Sequence, residues 1–150
     1  MEIRDILNTK NIALKVGDNL ISIGAYDTIA QAVTTLAENR IGMAIVRDDG
    51  GSMLGVLSER DVVNAVGNGG AEALDKNVRE FMAKDVQTCK PTDHPFDVMK
   101  TMSAGGFRHM PVVDKSELQA VISTRDILRY ITEHASPQVQ AVFWTKISWL

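Results

Sequence analysis

Cysteine is almost absent: Cys89 is the single one in 150 residues. That excludes an internal disulfide and any zinc site built on several thiolates. Basic charge is also scarce. Sixteen Lys and Arg face 19 Asp and Glu, a formal net charge of -3, which speaks against a general nucleic-acid binder with its basic face. No run approaches the roughly 20 apolar residues of a membrane span, and the opening MEIRDILNTK lacks the apolar stretch of a secretory leader. The three histidines form no H-x-x-x-H or H-E-x-x-H pattern, so no metal site is expected. Gly67-Asn68-Gly69-Gly70 follows no strand and carries no Walker lysine, so it is not expected to cradle phosphate. What remains is a globular chain, 45% hydrophobic and 23% charged, expected in the cytoplasm with no nucleic-acid or membrane partner.

The residues that are present repeat themselves. GVLSERDVVNAV (Gly55 to Val66) lies over AVISTRDILRYI (Ala120 to Ile131), so that Val56, Ser58, Arg60 and Asp61 recur as Val121, Ser123, Arg125 and Asp126. Upstream, RIGMAIVRD (Arg40 to Asp48) lies over GFRHMPVVD (Gly106 to Asp114), and DTIAQAVTTL (Asp27 to Leu36) over DHPFDVMKTM (Asp93 to Met102). At the front, IRDIL (Ile3 to Leu7) matches VREFM (Val78 to Met82). The chain therefore divides into a first repeat over residues 1–67, a polar linker over 68–77, a second repeat over 78–135 and an extension over 136–150.

Each repeat predicts an α/β (α+β) unit in the order strand, helix, strand, strand, helix. Ile29, Ala32, Val33 and Leu36 share a helical face, with Asp27 or Thr28 as cap. Met43 to Val46 and Met53 to Leu57 flank the turn-rich Asp48-Asp49-Gly50-Gly51 and read as a hairpin. Ser58 then caps a helix carrying Val62, Val63 and Val66. The second repeat predicts a helix from Asp93 to Ala104, strands near Met110 to Val113 and Leu118 to Ile122, and a helix from Thr124 to His134. Strands near Ser22 and Thr88 open the two units, giving each a three-stranded sheet. In the extension, Ser136 and Pro137 suit the start of an amphipathic helix carrying Val139, Val142 and Phe143. The methionines read as core filler. Cys89 has no evident base partner and is not expected to be a nucleophile. His94 and His134 read as surface residues.

The S-x-x-D spacing has a chemical use. A serine ending a strand and an aspartate in the first turn of the next helix project toward one cleft. The carboxylate can accept hydrogen bonds from a vicinal diol, and the helix N-terminus with the serine hydroxyl can serve a phosphate. Arg60 and Arg125 could reach phosphate oxygens. The alternative is that Ser58 and Ser123 are helix caps alone and the aspartates only partners of the helix dipole.

Two units with an H-M-P-V-V-D strand and a G-V-L-S-E-R-D motif, 65 residues from its A-V-I-S-T-R-D copy, resemble a tandem pair of CBS domains (a Bateman module). The resemblance covers about residues 1–135, with Ala120 replacing the motif's glycine and Met43-Ala44-Ile45-Val46 as a proline-free version of the strand. It implies two CBS repeats packed with pseudo-two-fold symmetry. It also implies a regulatory module without catalysis, which holds AMP, ADP, ATP or NAD(H) in clefts between the repeats. Ser58 and Asp61 would then face Val86, Gln87, Phe107, Arg108 and His109. Ser123 and Asp126 would face Ile21, Ile41, Gly42 and Met43. Val56 and Val121 lie in the strands leading to the serines. The cleft with Arg60, Arg108 and His109 would take the more highly charged ligand. Such modules pair as flat homodimers through the helices after S-x-x-D, and act on a regulated protein. The alternatives are a ligand-independent dimerisation or docking protein acting through its C-terminal helix, a module for another adenosyl ligand such as S-adenosylmethionine, and an enzyme. Against the last, the chain lacks the barrel and catalytic cysteine loop of the IMP dehydrogenases that carry similar modules.

Overall fold

The computed structural model describes residues 1–9, 20–148 and 150. Aligning the repeats leaves Asn8 to Asn19 as a longer loop in the first half, and most of it lies outside the described residues. The elements run α1 (Ile3–Leu7), β1 (Ser22–Gly24), α2 (Ile29–Asn39), β2 (Met43–Arg47), β3 (Met53–Ser58), α3 (Glu59–Gly69), α4 (Pro95–Gly105), β4 (His109–Asp114), β5 (Glu117–Ser123), α5 (Thr124–His134) and α6 (Pro137–Ile147). Two 3-10 turns, Gly70–Asp75 and Val78–Glu80, follow α3. The described residues form two compact units, one of residues 20–86 and one of residues 1–9 with 87–148 and 150.

In the 20–86 unit, β1 pairs parallel with β2 and β2 antiparallel with β3. Thr28 rather than Asp27 caps α2: the Gln31 amide donates to Thr28 Oγ1, and the Thr28 amide donates back to Gln31 Oε1. Asp27 closes the turn before it, with Oδ2 accepting from the Gly24 amide. On α3 the expected apolar face is thin. Ala65 is buried, while Val63 stands 68% exposed.

The second unit departs from its copy in one respect. β4 and β5 make a two-stranded sheet, and the strand expected near Thr88 is reduced to one parallel bridge between Cys89 and Val112. The Cys89 amide donates to the Pro111 carbonyl, and the Val113 amide donates to the Cys89 carbonyl. The next bonds of a parallel ladder would need amides from Pro111 on one side and Pro91 on the other. Neither proline has one, so the ladder stops after a single residue. Both sheets otherwise share a bulge, between Val46 and Arg47 and between Val112 and Val113. α4 starts at Pro95 instead of Asp93, because His94 Nδ1 accepts from the Phe96 amide and takes the cap. His94 and His134 are exposed.

The opening elements of the repeats are exchanged between the units. α1 belongs with the second repeat: the Ile3 amide donates to Asp93 and the Arg4 amide to Pro91, and Ile3 and Ile6 are buried with Ile122, Ile127 and Ile131. The matching segment after the linker belongs with the first repeat. The Val78 amide donates to Asp27, the Arg79 amide to Ala25, and Ala83 bridges Val56. Gly55 permits that bridge, because a Cβ there would sit 2.2 Å from the Ala83 carbonyl oxygen. The residues expected to be linker are built into the same unit, with the Ile29 amide bonded to Lys76.

Met43, Met99, Met102 and Met110 are buried, as core filler should be, while Met53 and Met82 are half-buried. α6 is capped by Ser136 and inserts Phe143, 3% exposed, into the core of its unit. No helix among the described residues is long and apolar enough to cross a membrane.

Candidate functional site

The two S-x-x-D segments fold to the same local geometry. At the first, the Asp61 amide donates to Ser58 Oγ at 3.2 Å, while Asp61 Oδ2 accepts from the Ser58 amide at 2.8 Å and from Ser58 Oγ at 2.9 Å. At the second, the Asp126 amide donates to Ser123 Oγ at 3.1 Å, and Asp126 Oδ2 accepts from the Ser123 amide at 2.9 Å and from Ser123 Oγ at 2.6 Å. The pairs are therefore helix caps in fact. In both, however, the cap falls on Oδ2 and Oδ1 takes no part in it. An ionised carboxylate has about four acceptor positions, so each keeps capacity for a ligand's hydroxyls.

The antiparallel ladders decide which strand entry lies beside each pair within its unit. Met43 is the partner of Ser58, and the Glu59 amide donates to the Gly42 carbonyl at 2.9 Å. His109 is the partner of Ser123, and the Thr124 amide donates to the Arg108 carbonyl at 3.0 Å. Within their units, Gly42 and Met43 thus accompany Ser58 and Asp61, and Arg108 and His109 accompany Ser123 and Asp126. Ile21 and Val86 belong to the first of these units, Gln87 and Phe107 to the second.

Burial sorts the remaining candidates. Ile41, Met43 and Val121 are 6%, 4% and 1% exposed, and Val56 is 8%, so they have little surface left for a purine. Ile21, Val86, Phe107 and His109 are half-buried, while Arg60, Gln87, Arg108 and Arg125 are exposed. Asp61 also lines a hollow of about 440 Å³ with Asn64, Asn68, Lys76, Glu80 and Phe81. Sequence reasoning passed over these neighbours. The signal was there in part, since Asn64 and Asn68 follow Asp61 at helical spacings on α3. Among the described residues, no group of three His, Cys, Asp or Glu side chains could hold a metal ion. Cys89 is buried, and burial together with the charge of Asp93 pushes its thiol up to about 12, far from a reactive thiolate.

A family model for the CBS domain matches residues 3–68 and 78–133. An uncharacterized 17.7 kDa protein of Acidianus ambivalens is 31% identical over 107 residues, 71% of this chain and 63% of that one. The chain thus spans somewhat less than two thirds of that relative. The crystal structure of a CBS-domain containing protein from Agrobacterium tumefaciens is 32% identical, with a TM-score of 0.80 over 86% of this chain and 98% of the other. A CBS domain pair crystallised in complex with 5'-methylthioadenosine and S-adenosyl-L-methionine is 21% identical. It covers 88% of this chain and 96% of its own at a TM-score of 0.71, a likeness of fold.

Proposed function

The chain belongs to the CBS-domain family, matched over both its repeats, and on that premise we propose that it is a regulatory module sensing an adenosyl ligand through its two S-x-x-D pairs. The candidate ligands are AMP, ADP, ATP, NAD(H) and, after the ligands of the CBS pair just described, S-adenosylmethionine. One observation carries the reading: Ser58–Asp61 and Ser123–Asp126 repeat one geometry, each leaving Oδ1 outside the cap. A carboxylate so held is preorganised for the neighbouring hydroxyls of a ribose. The hollow at Asp61 supports the same reading.

The proposal gives Arg60, beside Asp61, and Arg125, beside Asp126, to the phosphates of the ligands held there. It gives the chain no reaction of its own. Binding then acts on a homodimer or a regulated protein only through unequal affinity for two conformations. Calorimetric titration of the full chain with AMP, ATP, NADH and S-adenosylmethionine tests it. Saturable heat from at least one is expected, and no heat from any overturns it.

A second reading rests on α6, where Val139 and Val142, one turn apart on one face, are 42% and 57% exposed. A ligand-independent docking protein acting through that face would lose its oligomer or partner on Val142→Lys. The same change would leave nucleotide heats as they were.

A further inference from the structure

The hollow of about 440 Å³ at Asp61 runs along α3. Asp61 stands in the first turn of that helix. Asn64 and Asn68 follow on the same face, about 4.5 and 10.5 Å further along the axis. Both are exposed, and neither carboxamide hydrogen-bonds to another described residue. Phe81, half-buried, adds an aromatic face to the lining, and Lys76 and Glu80 add opposite charges. Charge decides what enters. Two carboxylates, Asp61 and Glu80, stand against one ammonium, Lys76. The last turn of α3, which supplies Asn68, carries no basic residue, and a helix ends in partial negative charge. Both disfavour a phosphate in the hollow, whereas the other end of α3, with Ser58 and Arg60, attracts one.

Resting on the adenosyl reading above, we infer that Asn64 and Asn68 select adenine at the Asp61 pair. The ligand, gripped by its ribose at Asp61, lies along α3 with its phosphate toward Ser58 and its base in the hollow against Phe81. A carboxamide offers a donor and an acceptor side by side, which matches the 6-amino group and N7 of adenine. Hypoxanthine keeps N7 but puts a carbonyl in place of the amine, so two acceptors meet. The full chain uniformly labelled with ¹⁵N tests this. Adenosine, the part common to every candidate ligand, is the probe and inosine its comparison. The Asn64 and Asn68 side-chain amide signals shift saturably with adenosine, while that of Asn39, which donates to Thr35 on α2, does not move. Inosine binds roughly tenfold more weakly, the discrimination of one bidentate contact. Inorganic phosphate leaves the carboxamide signals in place. Asn64→Ala and Asn68→Ala each bring adenosine down toward the affinity of inosine. Both positions are exposed and alanine favours a helix, so both variants fold. Adenosine shifts confined to the backbone amides of the two S-x-x-D pairs overturn the assignment and leave the adenosyl reading standing. Silence at those amides as well overturns it too, and the calorimetry above then decides the adenosyl reading by itself. Inosine bound as tightly as adenosine, a preference that survives both substitutions, or carboxamide shifts with phosphate alone each overturn the inference.

Discussion

Each aspartate of the duplicated pair is assigned two duties, and substitution separates them. Asp61→Ala removes both bonds that Oδ2 accepts, from the Ser58 amide and Ser58 Oγ, together with a negative charge at the start of α3. Loss of such a cap costs about 1–2 kcal/mol of stability. Asp61→Asn keeps a carbonyl oxygen for the Ser58 amide and loses mainly the charge, about 0.5 kcal/mol. For a bound ribose the order differs. A neutral amide is a weaker acceptor than a carboxylate, so both variants lose charge-assisted hydrogen bonds worth about 1.5–3 kcal/mol, roughly ten- to a hundredfold in Kd. Asp61→Asn should therefore unfold in urea close to the unaltered chain, yet bind far more weakly whichever adenosyl compound gives heat. Asp126→Asn repeats the experiment inside the same molecule, because its carboxylate is held in the same way. If the double variant Asp61→Asn, Asp126→Asn binds as tightly as the unaltered chain, the carboxylates are helix caps and nothing more.

Two further outcomes follow from packing and burial. Gly55→Ala drives a methyl to 2.2 Å from the Ala83 carbonyl oxygen, so the Val56–Ala83 bridge must open. About 2–3 kcal/mol of stability is expected to go, read as a lowered urea midpoint, and an unchanged midpoint refutes the contact. Cys89 keeps its proton to about 12 in the folded chain against 9.0 for a free thiol. The unfolded state then binds fewer protons between those values. Its contribution to stability is full below the free-thiol value and falls as pH rises toward the folded one, by up to about 1.4 kcal/mol per pH unit. Unfolding free energies measured across that window should slope less steeply in Cys89→Ala, and parallel slopes contradict the assignment.

Local chemistry made much of this fold legible in the residues. The capping boxes at Ser58 and Ser123, the cap and proline opening α6, and the helix from Thr124 to His134 all depend on neighbours three or four positions apart, which a single sequence displays. The strand near Thr88 was misjudged although its cause was visible. Pro91 and Pro111 each lack the amide that a longer ladder requires, but the second only matters once Cys89 is known to lie opposite Val112. The exchange of opening segments was out of reach, because it pairs Ile3 with Asp93 and Val78 with Asp27 across long stretches of chain. Its one trace was the difference between Gly55 and Ala120, read as a departure from a motif when it marks where another backbone passes. At the candidate site, the serines and aspartates were found by their spacing. The Lys76 and Glu80 side chains beside Asp61 come from beyond α3 and carry no such pattern.

That exchange bears on how the molecule comes into being. Ile3–Leu7 leaves the ribosome long before Ile122, Ile127 and Ile131, the side chains it is buried with, have been synthesised. The helix must therefore wait, exposed, for the rest of its unit, whereas the other unit is built from one unbroken stretch, residues 20–86. A ribosome-bound chain stalled midway should protect the middle segment from protease while its leading helix is still cut.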